Sequence, residues 1–198
     1  MDEKASLDDS EAAMAPQTPD DVRAKDRALV ARARNGDASS FEQLVKRHYL
    51  KVYGLAYRLC GQREDAQDVA QEAFVKAAAS IRQFRGESAF TTWLYRITVN
   101  VATDHRRQRH RQYEAKQKFA SEQMILNGHA EGRDEVWMAL QRLPPLERDA
   151  VVLTVVEDLS HAEAAKVLGC AETTVSWRIF MAKQTLKKWL QGRGDHGR

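Results

Sequence analysis

Residues 63–111, REDAQDVAQEAFVKAAASIRQFRGESAFTTWLYRITVNVATDHRRQRHR, decide the fold of this chain. Apolar residues recur through them at helical spacing, and residues 84–87 (Phe-Arg-Gly-Glu) interrupt the pattern. We therefore predict two long helices joined by a short break. The first helix is acidic at its start. Because three or four residues separate Asp65, Asp68 and Glu72, their carboxylates are expected on one face of that helix.

The second helix is predicted to begin at Ser88, a good N-cap residue. It ends in a cationic run: Arg106, Arg107, Arg109 and Arg111. Its apolar residues recur in the pattern of a core-facing stripe: Phe90, Leu94, Ile97 and Val101. The other side is polar and basic: Thr92, Arg96, Asn100, Thr103 and Arg107. The first helix therefore offers a negative face, and the second offers a face suited to phosphates and bases.

Two further helices precede this stretch. One apolar pattern starts near Asp20 and closes at residues 35–36 (Asn-Gly). The next is capped by Ser39 or Ser40 and stops at Gly61. Four helices with short connections form a bundle of ordinary domain size. Since no part of the chain sustains period-two alternation, we predict an all-α protein.

The C-terminal part has the pattern of a helix-turn-helix. Ser160 and Glu163 form a capping box of the S-x-x-E type, which opens a short helix that ends at Gly169. A longer helix is expected over residues 172–190. A short helix, a glycine-containing turn and a longer helix are typical of this DNA-binding motif, whose second helix enters the major groove.

These patterns predict two small helical domains joined by a flexible linker. Residues 1–20 contain almost no large apolar side chains and are expected to be a disordered acidic tail, either solvated or lying on the basic surface. The predicted division is a first domain over 21–112, a linker over 113–133, a second domain over 134–191 and a tail over 192–198.

Composition limits the class of protein further. The formal net charge is only +3, but acidic residues concentrate in 1–21 and basic residues in 96–118. Such segregation is typical of a nucleic-acid binder with an acidic tail. Cys60 and Cys170 form no C-x-x-C motif, so we expect two free thiols in a reducing compartment rather than a redox switch. No apolar run is long enough to span a membrane and no signal peptide is evident, so we expect a cytoplasmic protein.

Residues 63–111 resemble region 2 of the bacterial sigma-70 family sigma factors, in their extracytoplasmic-function (ECF) group. The likeness is carried by DAQDVAQEAF at 65–74, FRGESAFTTWLYRI at 84–97, and Asn100. The helix-turn-helix part resembles region 4 of the same family through Leu143, Pro144, Glu147, Arg148, Leu159, Ser160, Glu163, Ala165, Leu168, Gly169, Thr174, Val175 and Arg178. The resemblance implies a sigma factor that binds core RNA polymerase, recognises the −35 and −10 promoter elements and initiates transcription of a specific, stress-response gene set.

For polymerase binding, the resemblance points to Asp65, Asp68, Gln71 and Glu72. These side chains would contact the clamp coiled coil of the largest subunit, while the flap of the second-largest subunit is a further implied contact. An acidic helix face suits such an encounter, because complementary charge adds association rate and specificity. The alternative interpretation is a solvated helix face, which is what charge runs usually are.

For capture of the opened −10 strand, the resemblance points to Gln83, Phe84, Arg85, Gly86, Arg96, Asn100 and Arg107. An aromatic platform with nearby cations suits a flipped base, Asn100 offers donors and acceptors to a base edge, and Gly86 allows a sharp turn. The alternative for Phe84 is a core aromatic that closes the helix junction, and the two roles are compatible. Phe90 and Trp93 fit the core better than base stacking.

For recognition of the −35 element, the expected residues are Thr173, Thr174, Ser176, Trp177, Arg178, Phe180, Met181 and Lys183. Here the sequence departs from many relatives, which carry glycine at 174, a basic residue at 176, serine at 177 and arginine at 181. The −35 sequence therefore cannot be carried over from those relatives. Two interpretations of Trp177 stand equal: packing on a thymine methyl, or burial against the preceding helix.

The histidines and carboxylates form no metal-binding or catalytic pattern, so we expect no enzyme, no metal and no cofactor. The resemblance also implies a nucleoid-associated protein and a cognate anti-sigma factor, with retention by a membrane-bound anti-sigma factor as one alternative. Two alternatives remain at this point. One is a stand-alone helix-turn-helix regulator that binds duplex DNA without polymerase, and the other is a partner-switch protein that uses the fold as a decoy.

Overall fold

Eight α-helices build the part of the chain that the computed structural model describes, residues 19–117 and 135–194. The first unit contains α1 (Pro19–Arg34), α2 (Ala38–Cys60), α3 (Arg63–Ser80) and α4 (Phe90–Gln117). The second contains α5 (Glu135–Arg142), α6 (Pro145–Val151), α7 (His161–Leu168) and α8 (Glu172–Gly194). A 3-10 turn at Ile81–Gln83 follows α3, and a π-helical segment, Val152–Val156, continues α6. The absence of strands from these two ranges confirms the all-α prediction.

Two predicted helix starts were wrong. Asp37, and not Ser39 or Ser40, caps α2: its carboxylate accepts the backbone N–H of Ser40 at 3.2 Å and the Ser40 hydroxyl at 2.6 Å. Ser88 does not cap α4, because the helix begins at Phe90 and Ala89 occupies the cap position; the Ser88 hydroxyl donates to the carbonyl of Ala89 at 3.3 Å.

The core of the first unit depends on small residues in α3. Ala66, Ala70, Ala73 and Ala77 repeat at i, i+4, i+7 and i+11, and all four are fully buried. Alanine allows two helix backbones to approach closely, and it loses no side-chain entropy on burial. Large apolar residues of α2 and α4 fill the remaining space: Leu44, Val52, Leu55, Leu59, Leu94 and Val101.

A buried carboxylate ties α1 to α2. Asp26 is 4% exposed, accepts a hydrogen bond from Arg47 Nε at 3.1 Å, and contacts His48 Nε2 at 2.9 Å. A buried charge must be paired, and Arg47 provides the opposite charge. This contact holds α1 against the bundle.

The predicted helix-turn-helix is present in the second unit. The capping box of α7 is complete, since the backbone N–H of Glu163 donates to Ser160 Oγ and the Glu163 carboxylate accepts from the Ser160 N–H at 3.0 Å. Gly169 ends α7 at φ +63°, a left-handed conformation that favours glycine. Val167 of α7 and Val175 and Ala182 of α8 are buried in the core of this unit.

The predicted tails and linker lie largely outside the described ranges. Residues 1–18, 118–134 and 195–198 are not described, and α4 continues to Gln117, five residues past 112, where we placed the end of the first domain. In the described ranges, none of the helices combines the length and the apolar character that a membrane span requires.

Candidate functional sites

The acidic face of α3 lies on the solvent side of that helix. Asp68, Gln71 and Glu72 are exposed, while the alanines on the opposite side fill the core. Asp65 differs from these three, because its side chain is only 16% exposed and forms an ion pair with Arg109 of α4. The structure therefore brings the four predicted residues onto one surface, with three accessible to a partner and Asp65 neutralised at its edge.

The connection between α3 and α4 is organised by an aromatic cluster. Phe84 is 7% exposed, and its ring lies 5.0 Å from that of Trp93 and 6.1 Å, edge-on, from that of Phe90. Phe84 is thus a core aromatic that closes the helix junction. Edge-to-face packing of this kind stabilises a fixed loop geometry.

The polar residues of the same connection face solvent. Gln83, Arg85 and Gly86 are exposed, and Gly86 has φ +77°, which makes glycine the residue that fits this turn without strain. Arg85 Nη1 lies 3.9 Å from Glu87 Oε1, and because both side chains are about four-fifths exposed, this pair is weak.

A cleft of about 420 Å³ separates this connection from α1. Three arginines of α1 line it, Arg23, Arg27 and Arg34, together with Glu87 from the loop. Asp26, which also lines it, is neutralised by its partners on α2, so cations dominate the cleft. Our sequence analysis missed these arginines. They could have been predicted from their spacing of four and seven residues, which places all three on one face of a helix.

The outward side of α4 carries the remaining predicted −10 residues. Arg96, Asn100 and Arg107 are exposed, and their spacing of four and seven residues places them on one face. Arg107 lies 3.8 Å from Asp104 in an exposed pair, which leaves it accessible. Thr92, which we expected on this polar side, lies in the first turn of α4 and is buried at 5% exposure.

The first part of α8 presents the predicted −35 residues. Val175, Ile179 and Ala182 face the core. Thr173, Ser176, Trp177, Phe180 and Lys183 are exposed, and Thr174, Arg178 and Met181 are half-buried. Trp177 is 59% exposed, which rules out its burial against the preceding helix.

The two units contact each other through a buried ion pair that the sequence did not reveal. Arg106, in the cationic run of α4, donates to both carboxylate oxygens of Asp149 in α6. The Asp149 side chain is 2% exposed, and that of Arg106 is 19% exposed. Burial alone would lower the pKa of Arg106, but the hydrogen bond and the charge of Asp149 outweigh it and raise that pKa.

A second polar contact crosses the same boundary at Glu157, which follows the π-helical segment. Its carboxylate accepts a hydrogen bond from the Tyr95 hydroxyl at 2.6 Å and one from Arg58 Nη1 at 3.3 Å. Gln141 Nε2 also donates to the carbonyl of Arg58 at 3.3 Å. We call these bonds, with the Arg106–Asp149 pair, the interdomain contact.

Cys60 lies beside the interdomain contact. Burial, reinforced by the charges of Asp65 and Asp149, raises the pKa of its thiol to about 11, although Arg106 opposes the shift. A thiol with this pKa stays protonated at neutral pH and reacts slowly. Both cysteines, Cys60 and Cys170, are free, as expected.

Comparisons with known proteins agree with the two units. A family model described as "Sigma-70 region 2" matches residues 44–112, and one described as "Sigma-70, region 4" matches residues 133–186. The RNA polymerase sigma-H factor of Pseudomonas aeruginosa is 38% identical over 182 residues, covering 84% of this chain and 94% of that protein. The ECF RNA polymerase sigma-E factor of Escherichia coli K12 is 36% identical over 183 residues, with coverage of 84% and 94%.

Solved structures are similar as well. CnrH, solved in complex with the cytosolic domain of CnrY, is 30% identical with a TM-score of 0.64, covering 85% of this chain and 98% of that one. The sigma factor RpoE of Bartonella quintana, solved with the anti-sigma factor NepR, has the same TM-score at 24% identity. The match covers 78% of this chain and 98% of that one, and it supports the fold. This chain belongs to the sigma-70 family of RNA polymerase sigma factors, in its ECF group, and is therefore a promoter-recognising transcription initiation factor rather than an enzyme.

Proposed function

We propose that three separate surfaces of this sigma factor divide the work of initiation: the acidic face of α3, the outward side of α4 with the neighbouring loop, and the exposed side of α8. The observation that carries the proposal is the separation of charge within one helical unit. Asp68, Gln71 and Glu72 face solvent on α3, whereas Arg96, Asn100 and Arg107 face solvent on α4. A protein that holds another protein and a nucleic acid at once needs two surfaces of this kind.

The α3 surface is assigned to core RNA polymerase, at the clamp coiled coil of the largest subunit. Asp68 and Glu72 supply accessible carboxylates, and Gln71 between them supplies a donor and an acceptor. Asp65 belongs to the edge of this surface, where Arg109 already neutralises it. The second domain, which we place at residues 134–191, is assigned to the flap of the second-largest subunit as well as to DNA.

The loop and the outward side of α4 are assigned to the opened −10 strand. Gly86 lines the cationic cleft, whose volume falls within the ~300–1,000 Å³ range of ligand pockets, and Gln83 and Arg85 are exposed on the same connection. Phe84 acts by fixing the loop from the core, since its low exposure leaves little ring surface for stacking. The arginines of α1 that line the same cleft are suited to the phosphates of that strand.

The exposed side of α8 is assigned to the −35 duplex, and the gene set to a stress response. A cognate anti-sigma factor, held at a membrane or free in the cytoplasm, is the further partner that we propose. The support is that CnrH, 30% identical to this chain, was solved with the cytosolic domain of a partner protein.

The test is in vitro transcription with core RNA polymerase, this protein and sheared genomic DNA, followed by mapping of the RNA 5′ ends. Discrete starts that share upstream elements are expected. Asp68→Arg with Gln71→Ala should abolish those starts and polymerase binding while circular dichroism stays unchanged. Glu42→Arg is the matched control, because Glu42 is an exposed carboxylate of α2 outside the proposed surface. Unchanged starts with the α3 variant contradict the proposal for that face.

A further inference from the structure

The side of α8 that faces solvent is centred on two aromatic rings. Trp177 is 59% exposed and Phe180 is 56% exposed, one helical turn apart, while Val175 and Ile179 between and before them are buried. Two neighbouring exposed aromatic side chains form an apolar patch, and such patches mark interaction sites more often than single exposed residues do. The position is the first half of the helix that enters the major groove in a helix-turn-helix.

The first three turns of α8 offer few groups that recognise guanine. Arg178 is the one cation between residues 172 and 182, and it is half-buried with Nη1 3.8 Å from Cys170 Sγ, at the turn before the helix. Bidentate recognition of guanine requires an exposed arginine or lysine. Lys183 is exposed, but it follows the aromatic pair by three residues.

The hydroxyl nearest the aromatic pair is also engaged within the fold. Ser176 Oγ lies 2.9 Å from His161 Nδ1 and donates to the carbonyl of Glu172 at 3.2 Å. This contact links the first turn of α7 to α8 and orients the start of the helix. It leaves the apolar rings of Trp177 and Phe180 as the dominant groups on the exposed side.

We propose that Trp177 and Phe180 recognise the −35 element through the 5-methyl groups of thymine. Thymine is the base that presents an apolar group in the major groove, and apolar side chains distinguish it by contact with that methyl. Thr173 precedes the two rings on the helix and Lys183 follows them, and both are exposed. Their side chains suit contacts with the DNA backbone or with base edges on either side of the thymine. The proposal deepens the assignment of α8 to the −35 duplex and rests on it.

The test uses one promoter mapped by the transcription experiment, prepared with thymine or with deoxyuridine at the upstream element alone. Deoxyuridine keeps every hydrogen-bonding group and removes the methyl. We expect the holoenzyme to lose about four-fold in affinity for each contacted methyl removed, the equivalent of one buried methyl group. Trp177→Ala and Phe180→Ala should each reduce the preference for the thymine template, and the double variant should bind the two templates equally. Leu190→Ala, which removes another exposed apolar side chain of α8 (62% exposed), should retain the preference for thymine.

Two results overturn the proposal. One is a wild-type protein that starts transcription equally on both templates, and the other is a Trp177→Ala variant that keeps the full preference for thymine. If the aromatic variants lose binding to core polymerase without DNA, the exposed rings bind protein instead, and the proposal is also wrong. Failure of the underlying −35 assignment is distinguishable from these results, because promoter selection would then survive scrambling of the whole upstream element.

Discussion

Arg106 and Asp149 form a two-pronged ion pair although 43 residues separate them in the chain: Nη1 lies 2.8 Å from Oδ1, and Nη2 lies 2.7 Å from Oδ2. Parallel bonds of this type are among the stronger polar contacts in proteins, because both members are charged and the geometry of guanidinium matches that of carboxylate. The pair joins the last part of α4 to α6, and so joins the region 2 unit to the region 4 unit.

Removing one member of this pair should be costly. Asp149→Ala leaves the guanidinium of Arg106 mostly buried without its carboxylate, so we expect the free energy of unfolding in urea to fall by about 3 kcal/mol. Asp104→Ala, which breaks the exposed pair with Arg107, should cost less than about 0.5 kcal/mol. A double-mutant cycle with Arg106→Ala should give a coupling energy of at least about 1 kcal/mol, and additive effects would contradict the pairing.

Tyr95 should make stability depend on pH in the alkaline range. Burial, and then the hydrogen bond and charge of Glu157, raise the pKa of Tyr95 above its ordinary value. Because the folded pKa lies above the unfolded value, the contribution of the neutral phenol is fully present below about pH 10 and is lost as the pH rises further. Absorbance at 295 nm during alkaline unfolding should show one tyrosine that ionises with the unfolding transition.

Glu157→Gln tests the cause of that shift. It removes the neighbouring charge while keeping a side chain of the same size, so ionisation of Tyr95 should begin at a lower pH than in the wild type. In Tyr95→Phe, the late absorbance change should be absent. If the absorbance change at the unfolding transition persists in Tyr95→Phe, another tyrosine is its source and the assignment to Tyr95 is wrong.

Cys60 should report on the state of the interdomain contact. With its pKa raised from 9.0 to about 11, the folded thiol holds ~100-fold less thiolate at pH 8 than an unfolded one. We expect a comparable slowing of iodoacetamide alkylation in Cys170→Ser protein, measured by mass spectrometry with and without urea. Asp149→Ala should accelerate the reaction, because it removes a negative charge and opens the boundary. Equal rates in folded and unfolded protein would contradict the burial of Cys60.

The capping box of α7 should stabilise the second domain. Ser160→Ala removes the acceptor for the Glu163 amide and should cost about 1 kcal/mol of unfolding free energy. The side-chain hydrogen bond from Ser160 lowers the pKa of Glu163. The stability that the ionised Glu163 contributes is present above its pKa in the unfolded chain, and it is lost as the pH falls through its pKa in the folded protein. The difference in unfolding free energy between wild type and Ser160→Ala should therefore become smaller in acid. Ser160→Thr, which keeps the hydroxyl, should unfold with the free energy of the wild type.

The helices could be predicted from sequence because their signals are local. Apolar residues such as Leu94 and Val101 repeat at helical spacing, and Ser160 with Glu163 marks a helix start within four residues. The same local logic placed Asp68 and Glu72 together on α3. It erred at Ser88 because serine is also frequent in turns, and only the three-dimensional path decides whether its hydroxyl reaches a helix amide.

The interdomain contact has no local signal. Tyr95 and Glu157 are 62 residues apart; Tyr95 fits its helix as an ordinary core residue, and Glu157 is an ordinary polar residue at the end of the π-helical segment. The role of Arg106 was harder still to predict, since it stands in a cationic run typical of phosphate binding and, unlike Arg107, Arg109 and Arg111, is not exposed there. Contacts of this kind depend on how two folded units meet, which periodicity does not encode.

The contact between α4 and α6 limits how far apart on DNA the two units can bind. A compact chain of this length is about 40–45 Å across, whereas the −35 and −10 elements lie about 25 base pairs apart, ~85 Å along straight duplex. We therefore expect that Asp149 releases Arg106 and the two units separate before both elements are bound. On this expectation promoter capture and domain separation coincide, and Arg106 becomes available to DNA phosphates only in the extended molecule.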